Sequence, residues 1–162
     1  MESADHRTRL RLAFLHYNSG EYGLAADAFR WLDEPYGAYP CLYLYLANSL
    51  YWSGRYRTLG LALEVAELYR VFLSSYPEST WVFRPLAELY LVAGLQAESF
   101  RYFELAMAAL PGDQEIVRAY ALALASVGLE ERAIQLLEAN GMRHDPQVLK
   151  MLIEGYLERA RG

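Results

Sequence analysis

A small alanine followed seven residues later by a glycine recurs four times, as Ala13 and Gly20, Ala47 and Gly54, Ala87 and Gly94, and Ala121 and Gly128. The glycines stand 34, 40 and 34 residues apart. A period of this length restricts the chain to stacked supersecondary units, each covering the apolar face that its neighbour cannot bury alone. Between these marks the apolar residues recur at three and four rather than at two, which is a helical spacing. Leu10, Ala13, Phe14 and Tyr17 form one stripe before Gly20, and Leu24, Ala25, Ala28, Phe29 and Leu32 form a second. No alternating pattern suggests a strand.

The punctuation predicts nine helices. The first ends at Gly20, the second covers Tyr22 to Leu32, and Pro35, Gly37 and Pro40 break the chain after it. The third covers Leu42 to Trp52, and a long fourth runs from Tyr56 to about Ser75. The fifth ends at Ala93, the sixth covers Ala97 to Ala109, and the seventh runs from near Asp113 to before Gly128. The eighth, Glu130 to Ala139, ends on the left-handed cap pair Asn140-Gly141. The ninth has Asp145 as N-cap and Pro146 at its first position, and reaches about Arg159. Alanine lets two helices of a hairpin approach closely, and glycine accepts the positive φ of the turn.

The frame is interrupted twice. Six extra residues, Arg57 to Ala62 in the second unit, would add about 9 Å if helical, and their apolar content favours helix over a loop at Gly60. Pro85 falls inside the expected fifth helix, so that helix either starts late, near Arg84, or kinks there. Toward the C-terminus, Glu154 and Glu158 occupy positions where core would fall, which fits a capping helix with a polar outer side.

These units resemble the tetratricopeptide family, whose pattern places large, small and aromatic residues on a first helix, then a glycine turn, then a small residue and an aromatic on a second. Phe83, Leu86, Ala87, Tyr90, Gly94, Ser99, Phe103, Ala106 and Pro111 match it best, and the other three units match in phase over residues 7 to 140. The resemblance implies an all-α, right-handed solenoid of about four hairpins (7–38, 39–78, 79–112, 113–141) with a capping helix at 146–160, all in one domain spanning 1–162. The stretch LAFLHYNSGEYGLAADAF is also similar to the first repeat of bacterial type III secretion chaperones, small acidic tetratricopeptide proteins that keep translocator proteins soluble.

In that family the first helix of each hairpin lines a concave groove. By phase, the groove here would be formed by Arg7, Leu10, Arg11, Phe14, Tyr17 and Asn18, then by Cys41, Leu44, Tyr45, Asn48, Tyr51 and Trp52. The third unit would supply Trp81, Arg84, Pro85, Glu88, Leu91 and Val92, and the fourth Glu115, Arg118, Ala119, Leu122, Ala125 and Ser126. This set is net positive and aromatic at its middle, inside a chain of net charge −5 with 14 tyrosines. Aromatic and arginine residues are common interface anchors. The slots that some family members use to clamp the carboxylate tail of heat-shock chaperones hold Leu10, Phe14, Tyr45, Trp81 and Pro85, so that ligand is not expected.

The acidic balance argues against nucleic acid or an anionic membrane as partner. No apolar run is long enough to span a bilayer. The single Cys41 precludes an internal disulfide, and no signal peptide is evident, so a cytoplasmic protein is expected. His6, His16 and His144 show no metal-ligand spacing, and there is no phosphate loop or nucleophile motif. The expectation is a non-enzymatic protein-binding module without cofactor or metal, an adaptor or chaperone that takes an apolar or aromatic peptide segment bearing acidic residues. The alternative is a scaffold subunit acting through self-association or docking.

Overall fold

Helix α1 spans Glu2–Asn18 and is followed by α2 at Tyr22–Arg30, α3 at Pro40–Trp52, α4 at Arg55–Thr58 and α5 at Ala62–Ser75. After a 3₁₀ turn at Thr80–Val82 come α6 at Phe83–Val92, α7 at Gln96–Ala109, α8 at Gln114–Ser126, α9 at Glu130–Ala139 and α10 at Pro146–Arg161. These come from a computed structural model that describes residues 2–32, 39–142 and 144–161. No strand occurs among the described residues, and the expected break at Pro35 and Gly37 lies outside them.

Neighbouring helices pack in pairs: α1 on α2, α3 on α5, α6 on α7, and α8 on α9. The second member of each pair packs in turn on the first of the next, α2 on α3, α5 on α6 and α7 on α8, while α10 lies on α8. The recurrent frame explains the pairing. Ala13, Ala47, Ala87 and Ala121 are all fully buried. At the first turn the Gly20 N–H donates to the Tyr17 carbonyl at 3.1 Å and the Glu21 N–H to the His16 carbonyl at 2.9 Å. Leu95 and Leu129 repeat the longer bond to Tyr90 and Leu124, both at 2.9 Å. These paired bonds satisfy carbonyls that a helix end otherwise leaves open.

The long fourth helix expected from Tyr56 to Ser75 is two elements. Gly54 has φ +72° and ends α3; Gly60 has φ +65° and ends the single turn of α4. The Leu61 N–H donates to the Tyr56 carbonyl at 3.0 Å, the same closure that follows Gly20, Gly94 and Gly128. The extra residues thus span the end of one short helical turn, Arg55–Thr58, its glycine stop at Gly60 and the start of α5, because a left-handed glycine interrupts the 3.6-residue ladder that apolar content alone would continue. Tyr56, 5% exposed, stacks on Tyr51 with ring centroids 5.2 Å apart. Arg55 holds Asp27 of α2 through two hydrogen bonds, at 2.5 and 3.1 Å.

Pro85 stands third in α6, within the first turn, where its missing N–H breaks no helical bond. The helix has started late, as one of the two sequence expectations required. Asp113 and Asp145 cap α8 and α10: each takes two backbone N–H groups of the first turn on its Oδ1.

Two clusters of buried side chains form the core. The first gathers α1 to α6 around Phe29, Leu50, Tyr69 and Leu86, and the second gathers α6 to α10 around Phe103, Leu124 and Val148. Tyr102 packs against both. Stacked rings join successive pairs: Phe29 on Tyr45 at 5.9 Å and Phe103 on Tyr120 at 5.0 Å.

Candidate functional site

The first helices α1, α3 and α6 are linked in succession by side chains that the sequence assigns to a groove. Between α1 and α3, Phe14 and Tyr17 meet Tyr45 edge-on at 4.8 and 5.0 Å. The Asn48 Nδ2 donates to the Tyr17 hydroxyl at 3.0 Å, and the Tyr69 hydroxyl of α5 donates to Asn48 Oδ1 at 2.7 Å. Asn48 is only 8% exposed, so it is a buried hub rather than a groove contact. A buried amide needs partners, and this one has a donor and an acceptor.

Between α3 and α6, the Tyr51 hydroxyl donates to Glu88 Oε2, and the Arg84 Nε donates to Glu88 Oε1 at 3.0 Å. Burial pushes the Tyr51 hydroxyl well above its ordinary pKa, and the adjacent Glu88 charge adds to the shift. Tyr51 is therefore a neutral donor at every physiological pH. Tyr69 is shifted upward chiefly by burial as well. Between α8 and α10, Arg118 donates from Nε and Nη2 to Asp145 Oδ2 at 3.1 and 2.7 Å, and from Nη1 to Glu115.

These pairs change the electrostatics expected of the groove. Arg84 is neutralised by Glu88 and Arg118 by Asp145 and Glu115. Arg7 and Arg11, one turn apart on α1, are exposed and make no ion pair among the described residues. The available positive charge sits at the α1 end and not along the whole surface.

Of the aromatic set, Phe14, Tyr17, Tyr45 and Tyr51 are half-buried in packing between helices. Trp52 and Trp81 remain 63% and 48% exposed. Leu10, Leu44, Leu91 and Leu122 are half-buried, Pro85, Ala119 and Ala125 likewise, and Asn18, Cys41, Val92 and Ser126 are exposed. His16 is a half-buried packing residue whose Nδ1 lies 2.6 Å from Glu21 Oε2. No group of histidine, cysteine and acidic residues among the described ones could hold a metal ion. No helix among them is long and apolar enough to cross a membrane.

Sequence spacing did not reveal the partners Tyr69 and Asp145, since each belongs to an element outside the first helices. Nor did it reveal an apolar patch on the outer side of α1 and α2, where Leu12, Leu15, Leu24 and Trp31 are all about half exposed or more. Its signal in the sequence was that Leu12 and Leu15 fall outside the stripe of Leu10, Ala13, Phe14 and Tyr17.

Comparison with protein-family models gives no match, and comparison with curated protein sequences gives none either.

Proposed function

We propose that the chain is a tetratricopeptide-like right-handed solenoid whose first helices hold a segment of a partner protein, as an adaptor or chaperone and without catalysing a reaction. The observation that carries this reading is the direct side-chain linkage of α1 to α3 and of α3 to α6, which sets the first helices in one row while leaving Trp52 and Trp81 bare. Phe14, Tyr17, Tyr45 and Tyr51 then form a rigid floor. Rigid aromatic anchors on a preorganised surface favour binding because little side-chain entropy is lost. The partner segment would offer large apolar side chains to the tryptophans, and an acidic residue to Arg7 and Arg11.

The test is capture of partners from the native host by the wild-type chain and by a Trp52→Ala, Trp81→Ala variant. Trp52 is mostly exposed and Trp81 about half exposed, so the variant is expected to keep its fold, which circular dichroism checks. A partner held by the wild type and lost by the variant supports the groove. Identical captures by the two proteins overturn it.

A second reading rests on the α1–α2 patch. Trp31, 72% exposed, borders a shallow pocket with Arg9, Leu12 and Ala28. A large exposed apolar knob beside such a hollow suits an isologous contact between two copies. A scaffold of that kind would scatter light as a dimer, and Trp31→Glu would return it to monomer.

A further inference from the structure

The arginines of the groove row are not equivalent. Arg84 and Arg118 each have carboxylates of the chain as partners, Glu88 for the first and Glu115 and Asp145 for the second. Arg7 and Arg11 are exposed and have none among the described residues. Asp5, on the same helix, is held by Arg9 at 2.8 Å. Residues four apart share one helix face, so two uncompensated guanidiniums stand together on α1 and repel each other. This helix opens the row: its groove side chains link to α3, and those of α3 to α6.

The repeat fixes what stands level with this pair. Arg7 precedes the buried Ala13 by six residues, Cys41 precedes Ala47 by six, and Trp81, in the turn leading into α6, precedes Ala87 by six. Arg11, Tyr45 and Pro85 follow one helical turn later in each unit. The line therefore runs from two free cations, over the uncharged Cys41, Leu44 and Tyr45, to the 48% exposed ring of Trp81. With packed helix axes about 10 Å apart, Arg7 and Trp81 are separated by about 20 Å. An extended segment rising about 3.3 Å per residue covers that span in about six residues.

We propose that the groove reads its partner with a fixed polarity: a pair of acidic residues on Arg7 and Arg11 at the α1 end, and a large apolar side chain on Trp81 about six residues away. The inference rests on the groove reading above and adds the placement of charge within the bound segment. Charge complementarity decides the end. Acidic side chains at α1 relieve the repulsion and form charge-assisted hydrogen bonds with guanidiniums that have no other partner. At α6 or α8 they would compete with Glu88, or with Glu115 and Asp145, which already hold the arginines there.

The test selects binders of the full chain from a phage-displayed library of random dodecapeptides at low salt. Enriched peptides are expected to carry two acidic residues and, about six positions away, Trp, Phe or Leu. A fluorescein-labelled consensus peptide should then bind saturably. The double change Arg7→Ser, Arg11→Ser should weaken it about tenfold or more and flatten its dependence on salt. Trp81→Ala should weaken it at every salt concentration, and so should moving the acidic pair beside the apolar residue within the peptide. Arg101→Ser removes an exposed arginine on α7, outside the row, and should leave binding unchanged. Circular dichroism of each variant checks the fold. Peptides that need Trp52 and Trp81 but bind equally well without Arg7 and Arg11 overturn the polarity and leave the groove standing. Peptides indifferent to both tryptophans, or no enrichment at all, overturn the groove and the polarity together. Self-association of the chain that Arg7→Ser, Arg11→Ser abolishes would make a second copy the occupant and overturn the assignment to a partner segment.

Discussion

Asp145 is shared between two tasks: its Oδ2 accepts both the Nε and Nη2 of Arg118 on α8, and its Oδ1 accepts the Gln147 and Val148 N–H groups that open α10. One carboxylate thus starts the last helix and docks it on the preceding first helix. The Arg118 hydrogen bonds hold the Asp145 carboxyl below its usual range, and the backbone donors act in the same direction.

A group whose pKa is lowered by folding contributes stability above its unfolded pKa, about 3.9 for aspartate, and that contribution is lost as pH falls through the folded value. Hydrogen-exchange protection of α10 should therefore fall below about pH 4, ahead of protection in α6 and α7. Asp145→Asn keeps a competent cap but loses the ion pair. It should show weaker α10 protection at neutral pH and little further loss in acid. An unchanged acid dependence in the variant would place the titration elsewhere.

The Tyr17–Asn48–Tyr69 chain predicts a second, larger effect. Asn48→Ala leaves the Tyr69 hydroxyl without its acceptor in a side chain that is 1% exposed, so the loss should be about 2–3 kcal/mol. Tyr69→Phe should cost about 1–2 kcal/mol, by leaving Asn48 Oδ1 unpaired. The double variant should cost less than the sum, because each single change strands the other partner. Denaturant unfolding of the three variants measures this, and strict additivity would contradict the bond.

How much of this was legible in the sequence depends on what each residue had to do. Helix positions were readable because Ala13, Gly20 and their counterparts each solve a local problem, close approach or a left-handed turn, that few other residues solve. The late start of α6 followed from Pro85 in the same way. The six-residue insertion was misread because both Gly54 and Gly60 terminate helices, and apolar content cannot rank a short helix against a long one. The groove was less legible. Phase places a residue on a face, but whether Tyr51 or Asn48 is bare or covered depends on Glu88 and Tyr69, which lie 37 and 21 residues away. The tyrosine excess, suggestive of recognition, is largely absorbed by stacking such as Tyr90 on Tyr102 and Phe103 on Tyr120.

Ser99 yields a prediction of opposite sign. It fills the small position of α7, is fully buried, and its hydroxyl has no hydrogen-bond partner. Alanine fits the same volume, removes the desolvated hydroxyl and is the better helix former. Ser99→Ala should stabilise the chain by up to about 1 kcal/mol, which for this size is about 2–4 °C in Tm. A lower Tm in thermal unfolding would show that the hydroxyl does find an acceptor.

The turn formed by α4 can be tested by removal. Deleting residues 55–60 places Gly54 before Leu61, recreating the Gly-Leu pair that opens α7 at Gly94-Leu95 and α9 at Gly128-Leu129. The hairpin of α3 and α5 should still close, because Val65 and Tyr69 keep their places on α5. The deletion loses the Tyr56 ring stacked on Tyr51 and the Arg55–Asp27 pair, so Tm should fall, with a cost near the 3–5 kcal/mol of removing a buried aromatic. Gly60→Ala isolates the turn itself: no atom lies within 4 Å of an added Cβ, and φ is +65°. Its cost should be purely conformational, about 1–2 kcal/mol. If the deletion abolishes the cooperative unfolding transition while Gly60→Ala matches this cost, α4 is required for pairing α3 with α5 and is not a tolerated insertion between them.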